Sequence, residues 1–352
     1  MKKFLRIIIW IVLAFVFLFL LLLFLMRPHT PKIQGQVDSS IQNIASLEKV
    51  TLGGYPQWIC IRGHNIEAPL LLFLHGGPGM PMMYLSHTFQ RPIEKKFVCI
   101  QWDRRGAGKS FSKNLSADTL NVGQLLSDTE ELIHILRHRF GKKKVFIAGH
   151  SFGSYLGMIF ARMHPELVAA YIGIGQVTDS KRARGIQDRF IRNKAESLGV
   201  QEAVADLKAY GTAVHEKWLF RFGGELYAST SFMPFIKAGF LSPEYGLFDI
   251  PKVSQGSSFS SRHMKYNIID GALIDNVKEL RVPVYFFMGC HDYVTPIELV
   301  REYYTLLKAP QKGMVWFENS SHFPFFEEPD VFAAEMIRIL KEFQNTPPGI
   351  YG

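Results

Sequence analysis

The sequence predicts an α/β protein: a mostly parallel eight-stranded sheet flanked by helices on both faces, with a helical segment inserted late in the chain. Three observations carry this. Short apolar runs alternate with helix-like stretches along most of residues 45–345. The runs are rich in Val, Ile and Phe and several are bounded by Gly or Pro, as buried strands are. The alternation lapses between about residues 176 and 276, where charge, aromatics and loops take over, and then resumes at Val282.

Taken in order, Ile7 to Met26 are twenty consecutive apolar residues, preceded by Lys2, Lys3 and Arg6 and closed by Arg27. At about 1.5 Å per residue a helix of that length spans the roughly 30 Å of a bilayer core. The run exceeds a signal peptide's core and lacks a small-residue cleavage site, so it reads as an uncleaved signal-anchor. The basic flank places the N-terminus in the cytoplasm and the main domain outside it, membrane-attached and single-pass. Pro, Gly, Gln and Ser make residues 28–40 a short linker. Strands are predicted at Glu48–Leu52, Trp58–Ile61, Leu70–Leu74, Phe97–Gln101, Val145–Ala148, Ala169–Ile174, Val284–Met288 and Met314–Phe317. Helices are predicted at Asn121–Phe140, which carries a 3.6-residue apolar stripe, and at Phe152–Met163 and Val331–Phe343. The organisation expected is an anchor over 1–30, a core over 31–175, a cap over 176–276 and the rest of the core over 277–352. The cap would roof the sheet's carboxyl edge, where open α/β sheets place their sites.

Composition excludes several classes. With 47% hydrophobic and 20% charged residues, the chain is neither disordered nor low-complexity. Cys60, Cys99 and Cys290 lie in or beside apolar runs without a pairing pattern, so neither a disulfide framework nor a zinc ribbon is indicated. The net charge of +9 favours anionic surfaces without saying anything about fold.

The sharpest chemical signal is Gly149-His150-Ser151-Phe152-Gly153 between the strand ending at Ala148 and a helix. That strand–turn–helix setting is what a nucleophile elbow needs: glycines for close backbone packing, a serine thrust above the sheet. His75-Gly76-Gly77-Pro78-Gly79 follows the strand Leu70–Leu74, and it offers backbone donors for an oxyanion. Gly77 and Phe152 are the expected donors. An acid and then a histidine should follow the serine in chain order. Asp292 and His322 do so, each in a loop shortly after a predicted strand, with His291 and Asp179 as the nearest rivals. Ser151 would attack, His322 would take its proton and Asp292 would orient the imidazole.

These motifs, with Trp102-Asp103-Arg104-Arg105-Gly106-Ala107-Gly108-Lys109-Ser110, resemble the proline iminopeptidases and their relatives in the α/β-hydrolase fold, over roughly residues 45–345. The resemblance implies the Ser151–Asp292–His322 triad, a helical cap, and cleavage of short peptides or amides from a free N-terminus. It also implies cap glutamates that hold the substrate's amino group, with Glu216, Glu225 and Glu244 available. His150 and Phe152 stand where that family usually has Gly and Trp, and Arg104 where it usually has Gln. The elbow equally suits an esterase or lipase of the fold; a non-catalytic binding or signalling role is the other alternative.

Other patterns carry less. Gly106–Ser110 ends like a P-loop but lacks its first glycine and its helix, and reads as a buttress of the oxyanion turn. His134 and His138 share a helix face opposite its apolar stripe, so a solvated face is expected rather than a metal site. The basic run Lys181–Lys194 reads as a solvated helix face or, in an anchored protein, a contact for anionic lipid, and has no aromatic stacking pattern for nucleic acid. The chemistry therefore calls for a small-molecule or short-peptide substrate, a bilayer contact through residues 7–26, and no cofactor or metal.

Overall fold

All eight apolar runs form strands in the computed structural model, which describes residues 2–25, 28–34, 41–227, 229–268 and 271–346. After helix α1 (Lys2–Leu25) come β1 (Ile44–Leu52), β2 (Tyr55–Gly63), β3 (Leu70–Leu74), the single turn α2 (Ser86–Phe89) and β4 (Val98–Asp103). Next are α3 (Val122–Phe140), β5 (Val145–His150), α4 (Phe152–Met163) and β6 (Val168–Ile174). Between β6 and β7 the chain forms no strand among the described residues: α5 (Ser180–Leu198), α6 (Gln201–Tyr210), α7 (His215–Arg221), α8 (Met233–Leu241), α9 (Ile250–His263) and α10 (Leu273–Asn276) follow one another. Then β7 (Val284–Gly289), α11 (Ile297–Leu306), β8 (Lys312–Phe317), α12 (Pro324–Glu327) and α13 (Pro329–Asn345) close the fold.

The strands lie in the order β1-β2-β4-β3-β5-β6-β7-β8. β1 and β2 pair antiparallel, as do β2 and β4, and every other pair is parallel. Strand periodicity explains the layering. Leu70, Leu72 and Leu74 face one side and pack with Leu125, Leu132 and Leu136 of α3 and Leu156 of α4. Leu71 and Phe73 face the other, against Phe332, Met336 and Leu340 of α13. A sheet covered on both faces cannot use polar alternation, which is why its strands read as solid apolar runs. The parallel strands bring the ends of β3, β5, β6, β7 and β8 to one edge.

The inserted helices carry a small core of their own, built on Ile191, Leu207, Trp218 and Leu219. They are fastened to the sheet by buried polar pairs. Lys109 Nζ lies 2.6 Å from Asp249 Oδ2, Tyr245 donates to Asp103, and Ser260 Oγ donates to Gly106 O at 2.9 Å.

Residues 28–34, which composition alone presents as a plain linker, are bound to the body. His29 N–H donates to Pro243 O at 2.8 Å, Thr30 Oγ1 donates to Glu244 at 3.0 Å, and Arg62 donates to Thr30 Oγ1 at 2.6 Å. The predicted span 7–26 is helical through Leu25; residue 26 and the side chains of 19–25 lie outside the described residues. Among the described residues, no helix is long and apolar enough to cross a membrane.

Candidate active site

Ser151 sits at the junction of β5 and α4 with φ +53° and ψ −121°, the one non-glycine residue with positive φ among the described residues. Such a conformation costs of order 1–3 kcal/mol and persists where the surroundings enforce it. The enforcement is visible. A Cβ at Gly149 would lie 2.4 Å from Gly153 O, and one at Gly153 only 2.0 Å from Leu74 O. Helix, strand and the end of β3 therefore approach as bare backbone, and the serine is squeezed outward at the tip.

The loop after β3 runs against it. A Cβ on Gly76 would lie 3.0 Å from Ser151 Cβ. Gly77, at φ +107°, lines a cleft of about 780 Å³ together with Ser151 and Phe152. Phe152 opens α4, so its N–H belongs to the helix's first turn, which has no intrahelical acceptors. The rest of the cleft is walled by Val177–Lys181, by Arg184 of α5, by Tyr266 and by Val294–Pro296.

Asp292 and His322 come from the loops after β7 and β8. Their contact is short: His322 Nδ1 to Asp292 Oδ2 is 2.8 Å, with both side chains buried. An ionised carboxylate only accepts, so Nδ1 carries the proton and Nε2 is left with its lone pair. Asp292 is held in turn by Thr295, whose N–H donates to Oδ1 at 2.9 Å and whose hydroxyl donates to Oδ2 at 2.7 Å. Burial works to lower the His322 pKa, but the Asp292 charge and hydrogen bond, with help from Glu225 and Glu327, hold it above its ordinary 6.5.

Neither rival contacts His322 in this way, although Asp179 also walls the cleft. His291 stacks on Tyr227 at 4.0 Å between ring centroids, with Nε2 donating to Glu318 O at 3.1 Å. Asp179 caps α5, accepting from Lys181 N and Arg182 N at 2.9 Å each. His134 and His138 are on the exposed face of α3.

Several contributors escape a sequence reading. Gly175 follows β6 at φ +53°, where a Cβ would lie 2.8 Å from His322 Nδ1 and 3.3 Å from Asp292 Oδ2. His150 is buried and donates from Nε2 to His322 O at 2.8 Å, tying the elbow to the histidine loop. Burial, then His322, hold its pKa well below the usual imidazole range, so it stays neutral. Glu225, between α7 and α8, accepts the His322 N–H through its backbone carbonyl at 3.0 Å. Its half-buried carboxyl is pushed up to about 7 by burial, partly opposed by His322 and reinforced by Glu216 and Asp292. Of the other cap glutamates, Glu216 is exposed and Glu244 is buried beside Thr30 and Arg91. The signal that could have found Thr295 is its place three residues after Asp292, a spacing at which a carboxylate caps a following N–H.

Gly106–Ser110 is tied to β2 and to the inserted helices, and it is Arg104, just after β4, that braces the loop after β3. Arg104 N–H donates to His75 Nε2 at 3.2 Å, so the His75 proton is on Nδ1, which donates to Gly76 O at 2.9 Å. The Arg104 guanidinium donates to His75 O and lies 5.6 Å from the Phe152 ring centroid. Burial holds its pKa down at about 9.

Fold and site define a hydrolase enzyme. The chain belongs to the alpha/beta hydrolase family, which it matches over residues 71–335. It is 30% identical over 307 residues to the probable aminopeptidase YbaC of Bacillus subtilis (strain 168), covering 84% of this chain and 96% of that one. It is 27% identical over 284 residues to the proline iminopeptidase of Heyndrickxia coagulans, covering 78% and 90%. The solved proline iminopeptidase of Mycobacterium smegmatis has a similar fold: TM-score 0.64 at 17% identity, over 85% of this chain and 98% of that one.

Proposed function

We propose that this serine hydrolase uses Ser151 as nucleophile, His322 as general base and Asp292 as the carboxylate that orients it. The observation that carries the proposal is the 2.8 Å Asp292–His322 hydrogen bond at the same sheet edge as the strained serine. Because Asp292 fixes the proton on Nδ1, Nε2 is the atom that accepts the Ser151 proton. Attack forms a tetrahedral adduct whose oxyanion the Gly77 and Phe152 N–H groups receive. The imidazolium then protonates the leaving group, and water, deprotonated by the same nitrogen, hydrolyses the acyl-enzyme.

The substrate class we infer is a short peptide or aminoacyl amide with a free amino group. Glu225 supports this, as the cap glutamate whose carboxyl lies near enough to the site to feel both His322 and Asp292. A bound ammonium would favour its ionised form. We also infer that α1 anchors the enzyme as a single-pass helix with the hydrolase domain outside the cytoplasm. Its support is the twenty-residue apolar run and the basic residues before it.

Two experiments test these readings. A fluorophosphonate should label Ser151 alone, and a panel of aminoacyl arylamides against short- and long-chain esters should favour the arylamides. Preference for long-chain esters would replace the peptidase reading with the esterase or lipase one. Carbonate extraction of membranes should leave the full chain in the pellet; its release, or a mature N-terminus near residue 30, would refute the anchor.

A further inference from the structure

We propose that the apolar outer face of the cap, formed by α8 and the loop before α9, is a docking surface for the lipid bilayer into which α1 inserts. The inference rests on the anchor reading of α1 and goes beyond it. It assigns a second, independent membrane contact on the catalytic domain and fixes which side of the cap faces the lipid.

The starting point is a helix whose one polar side chain is Lys237. α8 reads Met-Pro-Phe-Ile-Lys-Ala-Gly-Phe-Leu. Its inner face, Phe235, Ala238 and Gly239, is buried against the body, Phe235 lying 4.9 Å from Phe323 between ring centroids. A surface helix should then turn polar residues outward. Instead Met233, Ile236, Phe240 and Leu241 are exposed, Leu241 by 63%. The following loop adds Leu247 and Phe248, the latter 77% exposed. Through residues 229–248 the only exposed charge is Lys237, since Glu244 is buried. So many exposed apolar side chains within twenty residues of sequence mark an interaction site.

The chain itself says what covers it. Pro28 packs on the same loop: a Cβ on Gly246, immediately before Leu247 and Phe248, would lie 2.9 Å from Pro28 Cγ. His29 N–H is bonded to Pro243 O and Thr30 to Glu244. Three peptide links separate Pro28 from Leu25, the last residue of α1, so the end of that helix lies within about 11 Å of Pro28. Leu247 and Phe248 are therefore tethered near the end of α1. Apolar side chains with an isolated lysine are suited to the headgroup–acyl boundary.

The test uses the full chain in phosphatidylcholine vesicles containing bromine-labelled acyl chains. An environment-sensitive fluorophore is placed by Phe248→Cys or Phe240→Cys, with Ile135→Cys on α3 and Leu198→Cys at the end of α5 as controls, all in a Cys290→Ser background. We expect the probes at 240 and 248 to be quenched severalfold more strongly than those at 135 and 198. We also expect Phe240→Asp with Leu241→Asp to remove quenching at 248 while the protein still floats with vesicles. Flotation with an unquenched probe at 248 would overturn the docking surface and leave the anchor standing. Failure to float would overturn the anchor, and the docking surface with it. Energy transfer between labelled chains that persists on dilution in lipid, without bromine quenching, would assign the patch to a second copy of the chain instead.

Discussion

Gly175→Ala isolates the alignment of the proposed base from everything else in the fold. The added methyl would sit 2.8 Å from both Nδ1 and Cε1 of His322. Carbon contacts are comfortable at about 3.5 Å, so the imidazole must retreat by roughly 0.7 Å. It retreats from a 2.8 Å hydrogen bond to Asp292, and a displacement near 1 Å at a reacting group costs about 10²-fold in rate. The backbone contributes separately: alanine at φ +53° loses about 1–2 kcal/mol. That is a fall of roughly 2–8 °C in Tm at about 2–4 °C per kcal/mol. Gly199 supplies the control, because it has φ +67° and a Cβ there would meet nothing within 4 Å. Gly199→Ala should therefore match the loss of Tm and keep wild-type kcat. Steady-state hydrolysis of the best substrate in the panel, alongside thermal unfolding, separates the two effects. A Gly175→Ala enzyme with kcat within a few-fold of wild type would refute the argument. So would a Gly199→Ala enzyme as slow as Gly175→Ala.

Other expectations follow from the same geometry. Ser151→Ala and His322→Ala should each abolish fluorophosphonate labelling, Asp292→Asn should lower kcat by about 10⁴ while leaving the fold intact, and His291→Ala should keep most activity; a dead His291→Ala beside an active His322→Ala would reverse the choice of histidine. His322 must be neutral to accept a proton and its pKa is raised, so the acid limb of kcat/KM should lie above pH 6.5 and activity should fall as pH drops through it. Glu225→Gln removes a charge that favours the imidazolium, and should move that limb to lower pH; an unmoved limb would show that Glu225 does not act on the base. Arg105 and Asp128 form a buried pair at 2.6 Å, and Arg105→Met should destabilise the protein by about 3–5 kcal/mol, read by chemical denaturation.

What could be read from sequence was what local pattern encodes. The central strands are short apolar runs because the sheet is covered on both faces there, and α4 runs over the predicted Phe152–Met163. The loops bearing Ser151, Asp292 and His322 were recognisable because each follows a strand. What escaped depends on pairs far apart in sequence. Glu225 touches His322 from a distant part of the chain, with no periodicity to announce it, and Thr30 meets Glu244 at a separation of 214 residues. Gly175 looks like any glycine after a strand until the imidazole is placed beside it. The linker residues 28–34 misled because Pro and polar side chains describe what a segment cannot form, not what it lies against.

The lacing of the cap to the histidine loop has a mechanical consequence. Gly223 O accepts from Ser321 Oγ at 2.6 Å, Glu225 O accepts from His322 N, and Tyr227 N–H donates to Glu327 at 2.6 Å. Residues 223–227 are thus fastened to residues 321–327, the backbone of His322 included. On the proposed mechanism, displacing residues 223–227 would strain the loop that carries the base.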